Sequence, residues 1–363
     1  MSFKYFDWLL LTGVIVVSLL GLMMVYSTGL AGSVESNLWI TQAVALVIGL
    51  LGLFFFSSLD YHYFKKGAMA FYFLAIVLLV AVLFLGSPIR GSVRWFNLGV
   101  LNFQPAEFSK FALVLVLARY FSLSGGLLKR FRFVLGSLAF TVVPMGLIIF
   151  QPDLGSAAVH GLLWLGLLSV SAMPRRFFLH LLVIFLIISA VSWQFFLHDY
   201  QKDRVQSFLD PTADPLGRGY NVIQSIVAIG SGGVAGQGLA RGLQSQLRFL
   251  PERQTDFIFA STVEELGAVG GGLLIILFLF IFYRMLRVVR GARDSFGTYL
   301  SVGIFFLFFT QTLVNIGMNL GLLPVTGITL PFLSYGGSSL VISFWLIGIM
   351  MNVNRGSVPV RFA

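Results

Sequence analysis

Two acids and a base stand beside an apolar run in the stretch FLPERQTDFIFA, residues 249–260. Glu252 and Arg253 open the polar part, and Asp256 closes it directly before the residues FIFA. The apolar neighbours are expected to draw the Asp256 carboxylate toward a low-dielectric setting, where burial raises the pKa of a carboxyl group. A carboxylate of raised pKa is a better general base near neutral pH. The stretch therefore predicts proton transfer at Asp256, with Arg253 close by in sequence.

A second cluster of charges lies in RGSVRWFNLGVLNFQPAEFSKFA, residues 90–112. Glu107 and Lys110 are three residues apart at the start of a predicted helix, so their side chains face the same way. Ionisable groups that enter an apolar helix usually face a cavity, which favours a functional role, although a structural ion pair has the same spacing. Arg94 beside Trp95, taken alone, favours an anchor at a membrane interface, and Arg94 is also kept as a candidate anion ligand.

Further candidate binding groups lie in three other stretches. Asp153 in QPDLGSA, residues 151–157, precedes a predicted helix, where it either caps the free N–H groups or contacts substrate. Ser334 and Ser338 belong to a stretch rich in Pro and Gly, residues 321–339, which either forms a simple turn or binds an anionic group near a helix start. Arg218 is a further candidate cation for an anionic substrate.

Sequence patterns for cofactors and metals are weak. The stretch GSGGVAG at 230–236 nearly matches a dinucleotide fingerprint, but no βαβ unit fits around it, so a flexible or tightly turned loop is expected. The chain has no Cys, and its four His residues show no ligand spacing. We therefore assign no cofactor and no metal site from the sequence, and leave a divalent cation open.

The elements that must position these residues are membrane helices. Hydrophobic residues make up 58% of the 363-residue chain and charged residues only 10%, against about a quarter in soluble domains. Apolar runs of about 20 residues predict an all-α, polytopic integral membrane protein rather than a β-barrel. Ten spans are predicted, at 8–28, 38–57, 69–86, 108–122, 133–150, 156–172, 178–198, 265–286, 298–321 and 339–353.

The basic residues determine the predicted orientation. With ten spans, one face collects most of them: Lys4, Lys65, Lys66, Arg119, Lys129, Arg130, Arg132, Arg175, Arg176, Arg284, Arg287, Arg290, Arg293, Arg355 and Arg361. Cytoplasmic loops are enriched in Lys and Arg, so both termini are predicted to be cytoplasmic. One long outer loop, about 199–264, then belongs to a single domain spanning 1–363. The net charge of +10 reflects this orientation and requires no nucleic acid.

Taken together, these motifs resemble the SEDS family of bacterial cell-shape and division proteins. The matching stretches run through nearly the whole chain: VRWFNLG, FQPAEFSKFA, QPDLGSA, RVQSFLDPTADPLGRGYNVIQS, QSQLRFLPERQTDFIFA, EELG and LPFLSYGGSS. The opening KYFDWLLL and the stretch QSQLRFLPER favour the cell-elongation branch of the family. The segment GITLPFLSYGGSSL is equally typical of the division and sporulation branches.

The resemblance implies ten spans and peptidoglycan glycosyltransferase activity, with lipid II polymerised into glycan strands on the outer face of the bacterial cytoplasmic membrane. It also implies a class B penicillin-binding protein as partner, together with other membrane proteins of the elongation complex. The family's essential acid corresponds to Asp256, and two further conserved elements of the family correspond to Glu107 with Lys110 and to Asp153. Relatives commonly have His where this chain has Gln254, which argues against a required His there.

The chemistry of the substrate agrees with a single catalytic carboxylate that acts as a base. A lipid-linked pyrophosphate leaves well once Arg and Lys neutralise its charge, so one base for the incoming sugar hydroxyl is sufficient. Two other functions stay open, a lipid II flippase and a noncatalytic scaffold for other wall enzymes. Acids crowded on one face favour chemistry on one side over transit through the bilayer, and a scaffold predicts that Asp256 is dispensable.

Overall fold

The computed structural model describes residues 6–30, 37–89, 92–99, 102–124, 130–171, 173, 174, 176, 177, 179–184, 186, 194, 199–217 and 219–356. The long helices of this part are α1 Trp8–Gly29, α2 Leu38–Ser58, α3 Tyr61–Leu85, α4 Pro105–Ser124, α5 Phe131–Ile149, α6 Leu154–Val170, α10 Ile258–Gly291, α11 Ser295–Asn319 and α12 Gly337–Gly356. A helix lies at nine of the ten positions predicted for spans, and the prediction for 178–198 falls largely outside the described residues.

Length and composition agree with a membrane protein. Seven of the described helices are long and apolar enough to cross a bilayer, namely α1, α2, α3, α5, α10, α11 and α12, and α6 is a shorter apolar helix. These helices expose large apolar side chains. Leu51, Phe84 and Ile276, for example, are all more than half exposed. A polytopic, multi-pass architecture follows, as the composition predicted.

Helix α4 lies in the middle of the bundle. It packs against α3, α5, α6, α11 and α12, and every residue from Pro105 to Ala118 is buried. A helix that is buried on all sides does not need a polar face toward solvent. This position explains how Glu107 and Lys110 are tolerated in the middle of an apolar bundle, because both side chains face protein rather than lipid.

A small antiparallel sheet joins α3 to α4, which the all-helical prediction did not include. Its strands are β1 Ser87–Ile89, β2 Ser92–Asn97 and β3 Asn102–Phe103, in the order β1-β2-β3. Phe96 pairs with Phe103, and Asn97 pairs with Asn102. The sheet holds Arg94 of β2 and Asn102 of β3 at the end of the bundle where α4 begins.

The long predicted loop is largely helical. It contains α7 Asp199–Leu209, a 3-10 turn Pro211–Ala213, α8 Tyr220–Ser231 and α9 Leu243–Gln246. The Asp210 side chain accepts from the hydroxyl and backbone N–H of Thr212, and these hydrogen bonds hold the pKa of Asp210 below its ordinary value. The apolar stretch at 220–230 lies within α8, which packs against α10.

The glycine-rich stretch after α8 docks into a kink of α10. Gly267 has φ +74° inside α10, and the break exposes backbone groups on both sides of it. The N–H groups of Gln237 and Gly238 donate to the carbonyls of Glu264 and Glu265, and the N–H of Ala268 donates to Gly233 O. A Cβ at Gly236 would lie 2.2 Å from Glu265 O, so the approach requires glycine. The turned-loop interpretation is thereby confirmed.

Two buried acids of α10 hold the segment between α8 and α10 in place. Glu264 accepts from the N–H groups of Gln244 and Ser245, and Glu265 Oε2 accepts from Ala240 N and from Ser27 Oγ. The span predicted at 265–286 would place both acids at the start of a helix. That boundary was wrong, because α10 begins at Ile258 and the two acids lie beyond its first turn.

Candidate active site

Asp256 lies in a series of turns, residues 251–257, directly before α10. Its backbone carbonyl accepts from Asn315 Nδ2 and Asn319 Nδ2, each at 2.9 Å. Its carboxylate lies against Gly327, where an added Cβ would be 3.4 Å from Oδ2. The residue is partly exposed, whereas its neighbours Arg253, Gln254 and Phe257 are buried. A partly open carboxylate on a tightly held backbone is a suitable general base.

The loop between α11 and α12 supports the Asp256 segment from the other side. Ser334 Oγ donates to Thr255 O at 2.7 Å and accepts from Leu330 N at 2.8 Å, while Tyr335 N donates to Gln254 O at 2.8 Å. Gln42 of α2 braces the loop, because its amide binds Ser334 O and Gly336 N. Ser334 therefore connects two loops through its hydroxyl, and its predicted contact with an anionic group stays a prediction.

Arg253 is buried and directed toward the end of α1. Its Nε and Nη2 both donate to Thr28 O at 3.3 Å. The carbonyl end of a helix carries partial negative charge, which stabilises a guanidinium there. The structure thus keeps a fixed positive charge three residues before Asp256.

Glu107 and Lys110 form an ion pair on α4, as their spacing predicted. Lys110 Nζ lies 2.6 Å from Glu107 Oε1, and the two residues are 3% and 7% exposed. The pair satisfies the structural interpretation of the spacing, and its burial orients the ammonium group firmly.

Asp153 caps α6 and binds Arg94. Its Oδ1 accepts from Ser156 N at 3.0 Å, which confirms the capping interpretation. Arg94 Nη1 lies 3.7 Å from Asp153 Oδ2, and Arg94 also donates to the carbonyls of Gln151 and Pro152, each at 2.6 Å. Arg94 therefore fixes the turn that carries Asp153.

Ser338 connects the loop of Ser334 to the start of α4. Its hydroxyl donates to Asn102 O at 2.6 Å and accepts from Gln104 N at 3.1 Å. Gln104 Nε2 in turn reaches Asp153 Oδ2 at 3.4 Å. The predicted residues Asp256, Ser334, Ser338 and Asp153 thus belong to elements joined by hydrogen bonds at one end of the bundle. Arg218 lies outside the described residues.

Sequence reasoning missed the residues that hold these loops together. Gln42, Asn315 and Asn319 are at most 1% exposed, and all three bind backbone groups of the Asp256 segment or of its supporting loop. The available signal was the pair of Asn residues one helical turn apart in the apolar stretch NIGMN, since amides inside a membrane helix must find hydrogen-bond partners.

His160 is a fully buried residue of α6. Its Nδ1 is 2.7 Å from Ser156 O and its Nε2 is 2.8 Å from Ser109 Oγ, which joins α6 to α4. Within the part of the chain that the structure describes, no group of three or more His, Asp or Glu residues could hold a metal ion.

Comparisons with known proteins cover nearly the whole chain. The model of a family described as "Cell cycle protein", named for FtsW, RodA and SpoVE, matches residues 6–358. The peptidoglycan glycosyltransferase MrdB of Escherichia coli K12 is 39% identical over 311 residues, covering 85% of this chain and 83% of its own.

Solved structures share the fold. A chain from work on "structural coordination of polymerization and crosslinking by a peptidoglycan synthase complex" matches with a TM-score of 0.82 at 34% identity, covering 97% of this chain and 98% of its own. The rod shape determining protein RodA of Thermus thermophilus matches with a TM-score of 0.72 at 29% identity, covering 98% of each chain.

Proposed function

The chain belongs to the cell cycle protein family of FtsW, RodA and SpoVE, and from that premise we propose that it is a peptidoglycan glycosyltransferase that polymerises lipid II for cell elongation and rod shape. MrdB is itself named a peptidoglycan glycosyltransferase, and the RodA relative is named for rod shape. The observation that carries the proposal is the partly exposed Asp256 carboxylate on a backbone fixed by α11 and by the loop before α12.

The reaction requires one proton acceptor. The hydroxyl oxygen of one sugar attacks the anomeric carbon of another, the bond from that carbon to the lipid pyrophosphate breaks, and the hydroxyl proton passes to Asp256. The pyrophosphate keeps the electron pair of the broken bond and departs on its lipid. Because this leaving group is already stable as an anion, it needs no carboxylic acid to protonate it, unlike the leaving group of a glycosidase.

Positive charge must then stabilise the departing pyrophosphate. We assign this role to Lys110, Arg94, Arg218 and Arg253, with Glu107 orienting Lys110 and Asp153 orienting Arg94. The ion pair of 2.6 Å at Lys110 and the contact of 3.7 Å at Arg94 support these orienting roles. Preorganised cations lower the barrier because they need no rearrangement as charge develops. Ser334 and Ser338 complete the proposed binding surface near the start of α12.

The site is proposed to face the outside of the bacterial cytoplasmic membrane, with both termini in the cytoplasm. Asp256 lies two residues before α10, and the far end of this helix carries Arg284, Arg287 and Arg290. Since cytoplasmic flanks are enriched in Arg and Lys, the Asp256 end is the outer one. The chain from 1 to 363 then forms a single domain with its long outer segment at about 199–264.

Purified protein supplied with lipid II is expected to produce glycan strands that can be resolved on a gel. A flippase instead moves labelled lipid II between leaflets of a vesicle without forming strands, and a scaffold does neither. Polymer formation in detergent, where no leaflets exist, therefore identifies the enzyme. Absence of strands with both lipid II and a divalent cation present contradicts the proposal.

A class B penicillin-binding protein, whose transpeptidase cross-links new strands, is the proposed partner, with other membrane proteins of the elongation complex. The relative from the peptidoglycan synthase complex supports this partnership. The single span of the penicillin-binding protein is proposed to pack along the outer part of α10 or on α11. The exposed face of α10 offers Val269, Leu273 and Ile276, which lipid or another helix must cover.

The glycines of α10 test this docking face. Gly270 and Gly271 are unsuitable positions, because an added Cβ would lie 2.3 Å from Leu266 Cβ or 2.6 Å from Val263 Cγ2 of the same helix. Apart from the adjacent residues and the backbone of α10 itself, no described atom lies within 4 Å of a Cβ built at Gly272. We expect Gly272→Leu to fold normally and to reduce copurification with the partner.

Activity measurements distinguish a loss of partner docking from general damage to the enzyme. Polymerisation by the Gly272→Leu protein alone should equal that of the wild type, whereas stimulation by the partner should fall, since binding shifts the population of the active conformation. Leu313→Ala on α11, a residue 56% exposed, tests the adjacent helix in the same way. Normal binding and stimulation in both variants would exclude these faces.

A further inference from the structure

The start of α10 lacks a local cap. Its N-cap residue is Phe257, whose side chain cannot accept a hydrogen bond, and the first N–H groups of a helix have no partner within it. Asn319 of α11, which is remote in sequence, supplies a hydrogen-bond partner for one of these groups, because its Oδ1 accepts from Ala260 N at 3.0 Å. The helix that follows Asp256 is therefore anchored to the end of α11.

The same asparagine binds Asp256, two residues before the helix. Asn319 Nδ2 donates to Asp256 O at 2.9 Å, and Asn315 Nδ2 donates to the same oxygen at 2.9 Å. A carbonyl oxygen has two lone pairs, so these donors use its full acceptor capacity. Both asparagines are completely buried, which protects the two hydrogen bonds from competition by water.

Asn315 also fixes the distance between Asp256 and the opposite loop. Its Nδ2 donates to Ile328 O at 2.7 Å, in the residue after Gly327, against which the Asp256 carboxylate lies. Gly327 has φ +74°, a conformation that glycine adopts readily. The Asn315 amide thus binds both the segment that carries Asp256 and the loop that lies against the Asp256 carboxylate.

We propose that Asn315 and Asn319 are positioning residues for the Asp256 carboxylate, acting through its backbone carbonyl to hold it at the distance that proton transfer requires. The inference rests on the proposed function and adds residues that the motifs did not indicate. The Asp side chain has only two rotatable bonds, so a fixed carbonyl restricts the carboxylate to a small volume. A displacement of about 1 Å in such a site costs on the order of 100-fold in rate.

The experiment measures lipid II polymerisation by purified wild type, Asn315→Ala, Asn319→Ala and a matched control. Asn352→Ala is that control, because Asn352 makes the same type of clamp at the other end of the bundle. Its Nδ2 donates to Ser57 O at 2.8 Å, and its Oδ1 accepts from Tyr61 N at 3.0 Å at the start of α3. Thermal melting gives the loss of stability for each variant.

We expect Asn315→Ala and Asn319→Ala to lower kcat per folded protein by about 10-fold to 100-fold while KM for lipid II changes little. Asn352→Ala should lower thermal stability comparably and leave kcat unchanged. Combined with Asp256→Asn, the Asn315→Ala change should reduce residual activity no further, because the carboxylate that it positions is gone. If Asn319→Ala does not fold, Asn315→Ala carries the test, since it leaves the cap on Ala260 in place.

Two results overturn the inference. One is a wild-type kcat in both asparagine variants, and the other is an equal loss of kcat in the Asn352→Ala control, which would indicate general destabilisation. Failure of the wild type to polymerise lipid II is a different outcome, because it contradicts the proposed function itself.

Discussion

Asp256→Asn is expected to reduce glycan polymerisation to a small residual rate while the protein remains folded. The substitution keeps the shape of the side chain and removes the group that takes the proton, and loss of a general base costs about 10²-fold to 10⁴-fold in rate. The backbone contacts survive, because Asn315 and Asn319 bind the carbonyl of residue 256 rather than its side chain. Strand products on a gel measure the activity, and thermal melting measures the folding.

Glu252→Gln is the matched control in the same series of turns. Glu252 Oε2 accepts from the Thr255 hydroxyl at 2.9 Å, and the residue is partly exposed like Asp256. Polymerisation by this variant should remain near the wild-type rate. Near-normal strands from Asp256→Asn would remove Asp256 from catalysis, and loss of lipid II transport with polymerisation intact would favour a flippase.

Local patterns predicted the helices well because each span satisfies its own backbone hydrogen bonds. The runs at 8–28 and 38–57 became α1 and α2 with ends shifted by a single residue. Boundaries were poorer where a helix extends beyond its apolar run, as in α10, which begins at Ile258 rather than at 265. The short sheet before α4 was missed, since its strands have only three, six and two residues.

The candidate site likewise contains local contacts that the sequence predicted and long-range contacts that it did not. The Asp153 cap and the Glu107–Lys110 pair follow from spacings of three residues, and the sequence displays them directly. The contacts of Ser334 with Thr255 and of Asn319 with Asp256 join residues 79 and 63 positions apart. No periodicity encodes such contacts, because they depend on how whole helices pack. The residue types were visible in the sequence, but their partners were not.

Lys110→Met is expected to cause the second large loss. It leaves the Glu107 carboxylate buried without its cation, which destabilises a protein by about 3–5 kcal/mol. If Lys110 also stabilises the pyrophosphate, kcat/KM for lipid II falls by an additional factor. A charge-assisted hydrogen bond contributes about 1.5–3 kcal/mol, which corresponds to about 10-fold to 100-fold in rate. Melting and polymerisation assays measure the two effects separately.

Two further variants separate charge balance from substrate binding. Glu107→Gln combined with Lys110→Met removes both charges, so folding stability should recover while lipid II use stays low. Arg284→Met is a matched control, because Arg284 Nη2 also pairs with a buried carboxylate, Asp7 Oδ1, at 2.8 Å. Arg284 lies on α10 at the end far from Asp256. That variant should lose stability and keep kcat/KM per folded protein. Full activity in the neutral double variant would show that Lys110 serves only to balance Glu107, and equal losses of kcat/KM at Lys110 and Arg284 would point to stability alone.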